Sequence, residues 1–170
     1  MSADAIDSRK SGALGARPTS IAIFDTNAYR VLTHGLTPDQ ARAKARELRQ
    51  AEDRVGRAAL THPIVVWELV THLANPADPA YGDCLAALVA LGEHTASRVS
   101  NDGGVCMVPD ASATVNDALF NRLPPGYERS LENIGTLVTY VAKHAPDLSD
   151  PVAVQNIRHL ATSMGNREEA

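Results

Sequence analysis

The chain has 170 residues, enough for one domain with a real core, and 44% of them are apolar, which excludes a disordered chain. Only 4% are aromatic, so Ala, Val and Leu must fill most of that core. The net charge of −4 excludes a general polyanion-coating protein, which needs clustered positive charge, but not an enzyme that holds nucleic acid through a metal ion and a few local Arg residues.

Residues 1–18, "MSADAIDSRKSGALGARP", lack the apolar run of a signal peptide and read as a frayed tail before one domain at 19–170. "IAIF" at 21–24 is a short apolar run suited to a buried strand, and it passes directly into Asp25, Thr26 and Asn27. In "LTPDQARAKARELRQAEDRVGRAAL", Thr37 is placed as an N-cap, Pro38 at the first helical position, and Gln40 completes a capping box. Ala41, Ala45, Leu48, Val55 and Ala59 follow at helical spacing, which predicts a helix to about residue 60. Its arginines (Arg42, Arg46, Arg49, Arg54, Arg57) read as a solvated face balanced by Glu47, Glu52 and Asp53.

"HPIVVW" at 62–67, rich in β-branched residues, predicts a second strand that runs into a short helix ending near Asn75 and Pro76. "AYGDCLAALVALGEHTASRV" predicts a helix with Leu85, Leu88, Val89 and Ala96 on one side. "GGVCMVP" at 103–109 is a third short strand, and "DASATVNDALFNRL" a helix stopped by Pro124, Pro125 and Gly126. "YERSLENIGTLVTYVAKHA" places Tyr127, Leu131, Ile134, Val138 and Val141 in register, and a last helix starts around 149–151 and ends near 165. This order predicts an α/β fold with a short parallel sheet and helices on both faces. No apolar segment reaches the ~20 residues of a membrane span, and Cys84 and Cys106 read as free thiols, so a soluble cytoplasmic protein is expected.

Sites in open parallel sheets form beyond the carboxyl ends of the strands. Two predicted strands end on carboxylates, Asp25 and Glu68, and neighbouring strands bring both to one small volume. Alone, Asp25 has a second reading as a helix cap, and Glu68 has one as a complement to a helix dipole. Together they repel unless a cation lies between them, and oxygen-only ligands suit Mg²⁺ or Mn²⁺. Such an ion activates water and stabilises charge on a phosphoryl group.

"IAIFDTNAY" resembles the opening of a PIN domain, in which an apolar strand runs into Asp-Thr-Asn, and "HPIVVWELVTHL" resembles its second signature, an apolar strand followed by Glu and Leu. With "GGVCMVPDAS" as the third strand, the resemblance covers residues 20 to about 120. It implies a metal-dependent endoribonuclease holding Mg²⁺ or Mn²⁺ with three or four acidic residues. Asp25 and Glu68 match the first two as catalytic metal ligands. Asn27 matches a polar residue that supports the site through hydrogen bonds, and Thr26 helps hold the turn. The resemblance also implies an RNA substrate, a toxin or defence role, a homodimer, and an antitoxin-like or other protein partner.

The pattern departs from the family after that. Asp150 is the candidate for a third acid, but its motif match is poor and with Ser149 it reads sooner as a helix cap before Pro151; Asp110 and Asp117 fit less well, and a final strand ending in an acid is missing. Either further acids lie beyond Ala170, or the site is degenerate and the chain is an interaction or scaffold module. Glu68 and His72 lie four apart on a predicted helix, which raises a zinc site, but without HExxH or a His/Cys grouping the six histidines (34, 62, 72, 94, 144, 159) read as scattered surface residues. A haloacid-dehalogenase-type phosphatase requires an acid where Asn27 stands.

Overall fold

The first apolar run is a strand, β1 (Ser20–Ile23), in the computed structural model, which describes residues 18–96, 107–108, 111–120, 126–145 and 151–165. Asp25 caps the helix that follows, α1 (Thr26–Thr33). The next helix, α2 (Pro38–Arg54), starts as its sequence predicts: Thr37 Oγ1 accepts from the Gln40 N–H at 3.3 Å, and Gln40 Oε1 accepts from the Thr37 N–H at 2.9 Å.

The helix stops at Arg54, six residues short of the predicted end. Gly56 adopts φ +70°, a conformation glycine reaches without a Cβ penalty, and it breaks the helical ladder. A Cβ there would also lie 3.0 Å from Thr19 Oγ1. Residues beyond the turn form β2 (Arg57–Leu60), which pairs in parallel with β1 in the register Ser20↔Arg57 to Ile23↔Leu60. One more parallel bridge joins Thr61 to Met107, and the Val108 N–H donates to Thr61 O at 2.8 Å. Of the predicted third strand at 103–109, the other residues lie outside the described ones.

The predicted strand at 62–67 is instead the start of a helix, α3 (Pro63–Leu73). His62 Nδ1 accepts from the Ile64 N–H at 3.2 Å, and Pro63 takes the first position. Val65, Val66, Leu69, Val70 and Leu73 are buried. That i, i+1, i+4, i+5, i+8 spacing is a helical stripe, and its burial overrides the β propensity of the run. The sheet is also not covered on both faces: Ile21 and Ile23 are 60% and 54% exposed. Among the described residues β1 pairs only with β2.

The core is built around α4 (Tyr81–His94), buried continuously from Cys84 to Gly92. α1, α2, α3 and α6 (Tyr127–His144) pack on it, and α7 (Pro151–Gly165) packs on α3 and α6. α5 (Ala111–Phe120) exposes Leu119 and Phe120. Gly92 permits the close approach of α6, because a Cβ there would lie 3.0 Å from Val138 Cγ1 and 3.1 Å from Ala142 Cβ.

The arginines of α2 do more than solvate a face. Arg49 donates to Glu93 O at 2.8 Å and Arg42 donates to Ala142 O, so the two guanidiniums satisfy carbonyls in the last turns of α4 and α6. Arg46 and Arg49 also pair with Glu93 Oε1 at 3.2 and 3.0 Å. Glu52, expected to balance charge in solvent, is only 5% exposed. No helix among the described residues is long and apolar enough to cross a membrane.

Candidate functional site

At the carboxyl end of β1, Asp25 has extended backbone geometry and its Oδ1 accepts from the Ala28 N–H at 2.7 Å. One carboxylate oxygen is thereby fixed by the helix start, and Oδ2 is left for another partner on an exposed side chain. Thr26 opens α1, and its Oγ1 donates to Glu68 Oε2. That bond spans 42 residues of sequence and lays the N-terminus of α1 against α3.

Glu68 is not at a strand end, as the sequence predicts. Because α3 begins at Pro63, Glu68 is its sixth residue, exposed on the helix flank. The structure still brings Glu68 to the residue beside Asp25, by a helix face rather than by a strand end. Asn27 is exposed in the first turn of α1, and no hydrogen bond holds its side chain among the described residues. Asp117 is exposed on α5, while Asp110 and Asp150 lie outside the described residues.

The donor set fits a hard divalent cation in kind: carboxylate oxygens, solvent-facing, each with one oxygen anchored. In number it is sparse. Among the described residues, no three His, Cys, Asp or Glu side chains cluster to hold a metal ion. Two carboxylates alone would leave most coordination positions of an ion to water, an arrangement Mg²⁺ tolerates.

Beneath the site runs a buried polar chain that sequence reasoning missed. Tyr29 Oη lies 3.0 Å from His94 Nδ1, and His94 Nε2 lies 2.7 Å from Glu52 Oε2. Phe24 packs on both rings, with centroids 5.5 Å from Tyr29 and 5.0 Å from His94. Desolvation, reinforced by the Glu52 charge, pushes the Tyr29 phenol well above its usual range, so it keeps its proton. A network in which Tyr29 donates to Nδ1 and the ring donates Nε2–H to Glu52 satisfies all three groups. The chain ties α1, which carries Asp25 and Thr26 at its head, to the ends of α4 and α2. His94 is thus a core residue and not a surface histidine. Its position inside the apolar pattern of α4 was the available signal, as was the pairing of Phe24 with Tyr29 in a chain so poor in aromatics.

A groove of about 390 Å³ lies between α2, α4 and α6, lined by Arg42, Arg46, Glu93, Thr139 and Lys143 among others. Neither Asp25 nor Glu68 reaches it. No family model, no curated protein and no solved structure matches the chain.

Proposed function

We propose that the chain is a PIN-like, Mg²⁺- or Mn²⁺-dependent endoribonuclease of the cytoplasm whose reacting centre lies at Asp25 and Glu68. The observation that supports this best is the Thr26–Glu68 hydrogen bond, which couples the carboxylate of α3 to the residue that follows Asp25. Asp25 Oδ2 and Glu68 Oε1 are the atoms that would hold the ion. When bound, the ion supplies a water of lowered pKa and charge stabilisation at the phosphodiester. The protein's own part is positional. The Ala28 N–H fixes the Asp25 carboxylate, the Thr26 hydroxyl fixes Glu68, and Asn27 stands exposed in the same turn. The start of α1 adds partial positive charge beside an incoming phosphate.

The test separates cap from ligand. Asn caps helices as well as Asp does, so Asp25→Asn keeps stability within about 1 kcal/mol while removing a ligand charge. Mn²⁺ binding by calorimetry and Mn²⁺-stimulated RNA cleavage are expected to be lost in Asp25→Asn and in Glu68→Gln. Cleavage retained by both variants refutes the assignment. The sparse ligand set favours one second reading, a catalytically degenerate scaffold module. Absence of metal binding by the full natural protein, C-terminus included, decides for it.

A further inference from the structure

His94 engages both ring nitrogens inside the core. His94 is 2% exposed, Tyr29 is fully buried and Glu52 is 5% exposed, so the three groups answer to one another and not to water. Nδ1 faces Tyr29 Oη from α1 at 3.0 Å, and Nε2 faces Glu52 Oε2 from α2 at 2.7 Å. α3 and α6 also pack on α4, yet among the described residues they bring no charged or titratable side chain into a hydrogen bond or ion pair with the ring. An ionised carboxylate only accepts, so Nε2 carries the hydrogen of the neutral ring and Nδ1 accepts from the phenol.

A second proton on the ring ends that fit, because both nitrogens of an imidazolium donate. Glu52 still accepts and now meets an opposite charge, which strengthens the link from α4 to α2. Tyr29 Oη must turn from donor to acceptor. Its own hydrogen then points into the core, where no other acceptor bonds it among the described residues. An orphaned buried donor costs stability, and α1 relieves the cost by moving the phenol toward water. At eight residues, α1 is too short to persist without its contacts to α4 and α3.

We propose that the Tyr29–His94–Glu52 chain is a pH-sensitive latch on α1, closed while His94 is neutral and released when the ring takes a second proton. The part set free is the turn that carries Asp25 and Thr26, and with it the hydrogen bond to Glu68. Acidification thus loosens that turn from beneath, through the core and not through its own carboxylates. The latch does not require nuclease activity.

A second histidine must be set apart in the test. His34 follows α1, and its Nδ1 lies 3.4 Å from Asp83 Oδ2 on α4, so its own protonation would also act on α1. Its side chain is 82% exposed, and His34→Gln removes it without touching the core. In that background, the full chain is followed as pH falls by ¹⁵N shifts of the His94 ring, backbone amide shifts and amide protection. As the ring becomes doubly protonated, the Thr26 and Tyr29 amides are expected to shift with the same midpoint. Protection in α1 is expected to fall about five- to a hundredfold, the weight of one orphaned buried donor, while α2 keeps its own. Folded Tyr29→Phe has no hydroxyl hydrogen to strand, so His94 should titrate there without the fall in α1. Circular dichroism checks the fold, and if Tyr29→Phe does not fold, the contrast of α1 with α2 decides alone. A ring that stays singly protonated until the whole chain unfolds, a titration that leaves α1 protected, or the same fall in folded Tyr29→Phe overturns the proposal. The nuclease reading fails on a different result, RNA cleavage that survives Asp25→Asn.

Discussion

Replacing Tyr29 by Phe removes one oxygen from a fully buried ring and leaves the ring itself packed on Phe24 and His94. The lost bond to His94 Nδ1 was 3.0 Å long. A typical intramolecular hydrogen bond contributes about 0.5–1.5 kcal/mol net, and a buried polar atom left unpartnered costs about 1–3 kcal/mol. His94 is 2% exposed, so water does not replace the missing donor, and a loss of about 2 kcal/mol is expected. For a domain of this size each kcal/mol moves Tm by about 2–4 °C, so the melt should fall by about 4–8 °C. Circular dichroism melts and urea titrations read this directly. A double-mutant cycle with His94→Gln should return a coupling of about 0.5 kcal/mol or more, as expected for residues in one network. A Tyr29→Phe loss below about 0.5 kcal/mol would mean that the chain from Tyr29 to Glu52 is not a stability element, and that α1 is held by apolar packing alone.

Gly92→Ala should destabilise the protein by about 1 kcal/mol in urea melts: overpacking against Val138 and Ala142 costs about 1–3 kcal/mol and exceeds what better helix propensity returns near the end of α4. The alkaline limb of stability should be steep. Burial raises Cys84 above its ordinary 9.0, and Tyr29 and Tyr81 above their ordinary 10.0. The folded protein therefore keeps protons that the unfolded chain releases, the unfolded state binds fewer, and stability falls as pH rises past about 9. Urea midpoints between about pH 8 and 11 measure the slope, and Tyr29→Phe should flatten it above pH 10.

Local punctuation was legible in the sequence and tertiary choice was not. Thr37, Pro38 and Gln40 announced the start of α2, and the structure carries each bond that the capping box requires. Its end was misread because Val55 and Ala59 continue the helical spacing. The deciding residue was Gly56, whose positive φ turns the chain into β2. The β-branched "PIVVW" was misread in the opposite direction, since propensity pointed to a strand while His62, Pro63 and the burial of Val65, Val66 and Leu69 made a helix. Of the expected pair, the structure places Glu68 against Thr26, the neighbour of Asp25, by a hydrogen bond from a helix flank that no strand pattern encodes. The Tyr29–His94–Glu52 chain depends on residues 65 and 42 positions apart, a proximity that no local pattern encodes.

The grip of α2 on two helix ends bears on how this protein responds to salt. Arg42 and Arg49 donate to carbonyls in the last turns of α6 and α4, at the negative ends of their dipoles. Both arginine side chains are partly buried, and partly buried contacts are screened far less than exposed ones. The brace that α2 lays across α4 and α6 is therefore expected to hold as ionic strength rises.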